Sequence, residues 1–222
     1  DDDIYSPEAI SIYLSEWDRI KQEDKLEKIG AIRTITQEED GAIVSGKVFE
    51  NSLFGKRIDQ TTLESNYVKH EYYENWTCYR ISALRSVDLF PKDYWMHDQH
   101  KFFSEGIWQG RLARKYQCRY YFVVLREYRH DTETSIIRSS RNRQHYVDMF
   151  INTKMILDEH LDYIKKSPSH FIQDVAIVTI LRYKLGISLR ELLRNTKSTL
   201  LKCCFVLATP LACLARNPKI SK

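Results

Sequence analysis

Apolar residues near the start of the chain recur every three or four positions, the spacing that places side chains on one face of a helix. They are Ile10, Tyr13, Leu14, Trp17 and Ile20. Ser6 and Pro7 precede them, and a Ser N-cap followed by Pro in the first turn is typical of a helix start. The pattern predicts a helix that begins at Ser6-Pro7, ends near Asp24 and packs this apolar face against a core.

Short β-prone runs separated by polar turns follow this helix. They predict strands at 29–36, 42–49 and 72–81. Residues 120–125, Tyr-Tyr-Phe-Val-Val-Leu, form the clearest strand, and their continuous aromatic and β-branched character is typical of a strand buried on both faces. A helix is predicted over 105–116, just before that strand. Its shared side carries Trp108, Leu112, Ala113 and Tyr116.

The pattern after residue 135 is helical throughout. One apolar stripe predicts a helix over 146–164, Pro168 and Gly186 bound a second helix, and Ser188 with Glu191 opens a third as a capping box. The stripe consists of Met149, Phe150, Thr153, Ile156, Leu157, Leu161 and Ile164. We therefore predict an α/β fold over 1–136 followed by a helical region over 137–222.

The segment 199–215 is apolar except for Lys202, and Pro210 is predicted to break it. Its 17 residues fall short of the ~20 that a helix needs to span a bilayer. Basic residues on both sides favour a segment that lies in the membrane interface. A buried terminal helix also explains the apolar run, and both interpretations stay open.

Charge is distributed unevenly along the chain. Residues 1–110 carry 13 Lys and Arg against 21 Asp and Glu, whereas residues 111–222 carry 21 against 9. Residues 182–222 contain nine basic residues and one acid, which favours a surface that meets anions or is simply solvated. The five cysteines have no CxxC spacing, which argues against a disulfide framework or a structural zinc site and favours the cytoplasm.

Three groups of residues carry side chains that suit catalysis or ligand binding. Asp1, Asp2 and Asp3 form a carboxylate run of the kind that binds Mg²⁺ or Mn²⁺, although acids also favour a helix entry. Glu105 opens a predicted helix beside a Gly and a Trp, where it suits a general base or merely the helix N-terminus.

The third group follows directly after the clearest strand, at its carboxyl end, where ligand groups collect in open α/β sheets. Arg126 and Arg129 suit phosphate, and His130 or Asp131 suits a metal site. A His in a charged loop is also often only solvated.

The order of these groups resembles glycosyltransferase family 2. The matching segments are Asp2-Asp3-Ile4-Tyr5-Ser6-Pro7, the run from Trp76 to Arg85, and the run from Phe103 to Tyr128 with its Glu-Gly, Trp and Leu-Arg-x-Tyr elements. The likeness covers roughly 1–136. It implies the second half of a GT-A domain, whose nucleotide-binding strands would precede Asp1, so that the chain by itself would bind nucleotide poorly.

The resemblance also implies an activity, the inverting transfer of a sugar from a nucleotide-diphosphate sugar to an acceptor hydroxyl in bacterial surface polysaccharide synthesis. Glu105 would be the base, and a divalent cation (Mg²⁺ or Mn²⁺) would neutralise the departing diphosphate. The implied substrate contacts are Trp108, Arg111, Arg126 and Arg129, and the implied metal ligands are Asp1, Asp2, Asp3 and His130.

The expected partners are the sugar donor and a saccharide or lipid-linked acceptor, with no nucleic acid. We expect a cytoplasmic protein in peripheral contact with the inner face of the membrane through 182–222. The competing interpretation is a non-catalytic basic helical module that docks on anionic membrane or nucleic acid, which the charge asymmetry supports.

Overall fold

The computed structural model describes residues 3–44, 49–71, 73–89, 94–99, 104–128 and 143–214. The chain forms two compact units. The first comprises Asp1–Leu89 and Trp108–Ser139, and the second comprises Phe90–Ile107 and Ser140–Lys222. The described residues 94–99 and 104–107 thus group with the C-terminal helices, whereas the sequence predicted them to belong to the N-terminal region.

Within the described residues, a mixed sheet of five strands forms the centre of the first unit. The strands are β1 (Ile4–Tyr5), β2 (Ile29–Glu38), β3 (Arg57–Gln60), β4 (Asn75–Tyr79) and β5 (Gln117–Tyr128). Their order is β1-β5-β2-β4, and β3 also pairs with β5. Only β2 and β5 run parallel among these pairs. The fold is mixed α/β, as predicted.

The α-helices described along this part of the chain are α1 (Ala9–Gln22), α2 (Thr62–Tyr67), α3 (Ile81–Arg85) and α4 (Glu105–Ala113). The predicted strands at 29–36 and 120–125 are confirmed within β2 and β5. Of the strand predicted at 72–81, β4 covers 75–79, Ile81 belongs to α3, and residue 72 lies outside the described residues. Of the strand predicted at 42–49, the described part shows one bridge, from Ile43 to Gln37, and 45–48 lie outside the described residues.

Strand β5 contributes to two cores, one on each face of the sheet. Tyr121 and Leu125 pack in the cluster that contains α1, whereas Tyr120 and Phe122 pack in the opposite cluster. This alternation is the period of a strand, and it confirms that β5 is buried on both faces.

Helix α1 differs from the prediction in its start and in its buried face. It begins at Ala9, and its N-cap residue Glu8 makes no side-chain cap, so Ser6 as N-cap is wrong. The buried positions are Ala9, Tyr13, Glu16 and Ile20. Ile10 and Leu14 are 73% and 61% exposed, so their predicted core position is also wrong. The helix is rotated because Glu16 has a buried ionic partner.

That partner is Arg119 of β5, which is 2% exposed, as is Glu16. The five N–H groups of Arg119 donate to three carboxylates, those of Glu16, Glu23 and Asp59, at 2.6–3.2 Å. Arg57 also donates to Glu16 at 2.7 Å. A buried cation with every donor satisfied is the arrangement that an interior ion pair requires. We call these four residues, Arg119, Glu16, Glu23 and Asp59, the Arg119 cluster.

The Arg119 cluster predicts a loss of stability in acid. The hydrogen bond from Arg119 holds the pKa of Glu23 below its ordinary value. Burial opposes ionisation of Asp59, but hydrogen bonds from Arg119 and Lys25 outweigh it and lower its pKa. Carboxyls with depressed folded pKa values stabilise the protein above their unfolded values of about 4, and this contribution is lost as the pH falls below them.

Urea unfolding at pH 7 and at lower pH values measures this effect. We expect the free energy of unfolding to fall as the pH drops below about 4, and to fall less in Arg119→Met, whose carboxyls lack the depressed pKa values. An equal acid loss in both proteins contradicts the assignment to this cluster.

The described part of the second unit is mostly helical, with α5 (Arg143–Ile164), α6 (Pro168–Leu185), α7 (Leu189–Arg194) and α8 (Thr199–Leu214). The predicted boundaries at Pro168 and Gly186 are confirmed, and Gly186 has the left-handed conformation (φ 75°) that suits glycine after a helix. Ser188 is confirmed as the N-cap of α7, since its hydroxyl accepts from the backbone N–H of Glu191 at 3.1 Å.

Two predictions about these helices are wrong. Met149 is 37% exposed, while Lys154 and His160 are buried, so the buried face of α5 differs from the predicted stripe. Pro210 lies inside α8 and does not break it. None of the described helices combines the length and apolar character needed to cross a bilayer.

Candidate functional site

The candidate site lies where the parallel strands β2 and β5 end side by side, with Glu38 paired to Tyr128. Ligand groups in open α/β sheets collect at such carboxyl ends. The short strand β1 pairs there with the last residues of β5, placing Tyr5 opposite Arg126. We define the carboxyl edge by five residues: Asp3, Tyr5, Glu74, Trp76 and Arg126.

An ion pair joins two predicted site residues at this edge. Oδ2 of Asp3 accepts from Nε of Arg126 at 2.9 Å and lies 2.6 Å from its Nη2. Nη1 of Arg126 lies 3.5 Å from Oε1 of Glu74. The side chains of Asp3 and Arg126 are 12% and 16% exposed, so both remain accessible at one end. The sequence analysis assigned Asp3 to metal and Arg126 to phosphate.

Aromatic rings continue the carboxyl edge beside the ion pair. The ring centroids of Tyr5 and Trp76 are 4.7 Å apart, and those of Tyr13 and Trp76 are 5.4 Å apart. The hydroxyl of Tyr13 donates to the carbonyl of Trp76 at 2.8 Å. Burial raises the pKa of Tyr13 and keeps this donor protonated. Tyr5 is 36% exposed, so its ring with Trp76 presents a fixed apolar platform to solvent. Sequence analysis missed this platform.

The carboxyl edge suits a hard divalent cation in one respect. Oδ1 of Asp3 has no hydrogen-bond partner among the described residues, so it can supply one oxygen ligand. Within the described ranges no group of three or more His, Cys, Asp or Glu residues is arranged to hold a metal. The other predicted ligands, Asp1, Asp2 and His130, and the predicted phosphate contact Arg129 lie outside the described residues.

Glu105, the predicted base, is the first residue of α4 and belongs to the second unit. Its side chain is exposed. Ser104 holds this helix start in place, because its hydroxyl accepts from the N–H of Gly106 at 3.2 Å and its own N–H donates to Asn152 at 3.1 Å. Glu105 therefore occupies the helix N-terminus that the sequence predicted, where the macrodipole favours a carboxylate.

The predicted substrate contacts on α4 have partners within the first unit. The ring centroids of Trp108 and Tyr79 are 4.9 Å apart in an edge-on arrangement. Nη1 of Arg111 donates to the carbonyl of Asp88 at 2.6 Å and lies 3.6 Å from its carboxylate. These contacts account for the positions of Trp108 and Arg111 by packing, and their contact with a substrate stays a prediction.

A buried arginine that sequence analysis missed lies beneath α4. Arg33 of β2 is 6% exposed and donates to Oε1 of Gln109 at 2.9 Å. Nε2 of Gln109 donates in turn to the hydroxyl of Tyr79 at 3.0 Å. Nε of Arg33 is buried without a partner, and its described neighbours supply no carboxylate. The only sequence signal was an Arg among β-branched residues in a predicted strand.

The fold and these contacts define a mixed α/β protein with an acidic and aromatic edge at its parallel strand ends. In comparisons with known proteins, no protein-family model, curated protein or solved structure matches the chain.

Proposed function

We propose that the chain is the acceptor-side half of a family 2 glycosyltransferase of the GT-A type. That glycosyltransferase transfers a sugar from a nucleotide-diphosphate sugar to an acceptor hydroxyl with inversion. The acceptor is a saccharide or a lipid-linked saccharide. The proposal rests on the resemblance of residues 1–136, and the mixed α/β fold of the first unit supports it.

One observation carries the proposal. Asp3 belongs to the first matching segment and Arg126 to the last, 123 positions apart in sequence, yet they form an ion pair at a carboxyl edge. Two motifs that meet at the ends of parallel strands suit a shared ligand better than two unrelated loops do. A guanidinium and a carboxylate side by side suit a diphosphate with its cation. The apolar platform of Tyr5 and Trp76 suits the face of a sugar ring.

The roles of the residues follow from their chemistry. Asp3 supplies a ligand oxygen to a divalent cation, which when bound neutralises charge on the departing diphosphate. Arg126 donates to phosphate oxygens, while Glu74 and Asp3 keep its guanidinium oriented. Glu105 removes the proton from the acceptor hydroxyl as that oxygen attacks the anomeric carbon.

Removal of the metal tests the proposal. Transfer is measured on the full-length protein as nucleoside diphosphate released from a panel of nucleotide-diphosphate sugars. We expect EDTA to abolish release and Mn²⁺ to restore it. We expect Asp3→Asn to raise the Mn²⁺ concentration for half-maximal turnover by about tenfold or more, because one charged ligand oxygen is lost.

Asp18→Asn is the matched control, since Asp18 is an exposed acid on the outer side of α1 in the same unit. It is expected to leave the Mn²⁺ requirement unchanged. Release that persists in EDTA, or an equal shift in Asp3→Asn and Asp18→Asn, contradicts the role given to Asp3. No release from any donor in the panel contradicts the activity.

A further inference from the structure

Helices α6 and α8 of the second unit enclose an open groove of about 330 Å³. Its walls are almost entirely apolar, with Phe171, Ile172 and Val175 from α6 and Leu207 and Ala208 from α8. The one hydroxyl in the wall, that of Thr179, already donates to the carbonyl of Val175 at 2.6 Å. The groove therefore offers nothing to orient a polar ligand and suits a hydrocarbon chain.

The rim of this groove is unusually apolar for a protein surface. Leu207 is 75% exposed and Ile172 is 66% exposed, one from each helix. Leu200 is 49% exposed, and with Cys204 and Leu207 it follows the i, i+4, i+7 spacing of one helix face. An exposed apolar stripe beside a groove marks a surface that meets another apolar phase.

Positive charge is concentrated in the stretch of sequence that contains the stripe. The stretch 182–214 holds six basic residues and one acid. Arg190 and Arg194 on α7 and Lys197 before α8 are all exposed, and Lys197 is three positions before Leu200. An amphipathic helical surface with apolar and basic parts is the pattern of proteins that lie on anionic membranes.

We propose that this surface, the groove and rim of α6 and α8 with Arg190, Arg194 and Lys197, docks on an anionic lipid bilayer. Leu207 and Ile172 enter the boundary between headgroups and acyl chains, lipid hydrocarbon covers the groove, and the three cations meet lipid phosphates. The inference does not depend on the proposed activity.

Two other occupants fit less well. A second copy of the chain on this face would bring the same cations of both copies together across a two-fold axis, and like charges repel. Residues 215–222, Ala-Arg-Asn-Pro-Lys-Ile-Ser-Lys, contain three basic residues and a single large apolar one, which is a poor match for an apolar groove.

Vesicle co-sedimentation of the full chain tests the proposal, with phosphatidylcholine vesicles that contain or lack phosphatidylglycerol. We expect binding only to the anionic vesicles. Leu207→Asp is expected to weaken binding at least about tenfold, because a charge replaces an apolar side chain that enters the bilayer. Replacing Arg190, Arg194 and Lys197 together by Gln is expected to weaken it about 100-fold, at roughly tenfold or less for each cation.

Matched controls lie on the first unit. The first control, Leu14→Asp, changes an apolar side chain that is 61% exposed on α1. The second control replaces Lys21, Lys28 and Arg85 together by Gln and so removes three exposed cations. Both control variants are expected to bind as the unaltered protein does.

Three outcomes overturn the proposal. The first is vesicle binding that Leu207→Asp leaves unchanged. The second is a dimer, seen by analytical ultracentrifugation, that Leu207→Asp dissolves in a protein that does not bind vesicles. The third is a salt-dependent affinity for duplex DNA that exceeds the affinity for anionic vesicles.

Discussion

Glu105→Gln is expected to lower the turnover of sugar transfer by about 100- to 10,000-fold, the usual contribution of a positioned general base. Gln keeps the size and hydrogen-bonding shape of the side chain but cannot accept the proton of the acceptor hydroxyl. Glu105 is exposed at the start of α4, so its replacement removes no core packing. The effect should therefore fall on turnover, with donor affinity and the free energy of unfolding nearly unchanged.

Glu191→Gln is the matched control, because Glu191 also occupies the first turn of a helix in the second unit but lies outside the matching segments. It should retain full turnover. The variants are compared by nucleoside diphosphate release at saturating donor and by urea unfolding. Full turnover in Glu105→Gln with unchanged stability removes Glu105 from the mechanism.

Arg119→Met is expected to lower the free energy of unfolding by about 3–5 kcal/mol, the range for breaking one side of a buried ion pair. Met replaces the aliphatic part of the side chain but is shorter and provides none of its five N–H donors. Glu16, which is 2% exposed, then keeps Arg57 at 2.7 Å and Arg19 at 3.9 Å, and it remains buried after losing Arg119. The loss therefore combines missing hydrogen bonds with repulsion among carboxylates.

Urea unfolding followed by tryptophan fluorescence measures this loss. Arg85→Met is the control, since Arg85 is exposed, and it should change stability by no more than about 0.5 kcal/mol. Adding Glu16→Gln to Arg119→Met should recover part of the loss by removing one buried charge. A loss below about 1 kcal/mol in Arg119→Met would mean that the cluster is no stronger than a surface ion pair.

The candidate site was predictable only in part. The residue types at Asp3, Glu105 and Arg126 pointed to chemistry because carboxylates and guanidinium groups have few uses at strand ends and helix starts. Tyr5, Glu74 and Trp76 were not predicted to belong with them. For Tyr5 and Trp76, nothing in the local sequence distinguishes an aromatic ring at a ligand edge from one in a core.

Local sequence by itself determined the elements whose signals are local. Pro168 and Gly186 bound α6 through backbone geometry that each residue imposes on its own position, and the unbroken apolar run of 120–125 specified a strand buried on both faces. The side chains that mark these boundaries act within one turn of themselves, so no distant partner was needed.

Tertiary structure decided which residues meet. Strand β1 is only two residues long and exists through its pairing with β5, which also brings Asp3 to Arg126 across 123 positions. Likewise, Arg119 on β5 turns α1 so that Glu16 is buried and Leu14 is exposed. Apolar spacing reports that a helix has a buried face, but a charged residue joins that face only when a remote strand supplies its counter-charge.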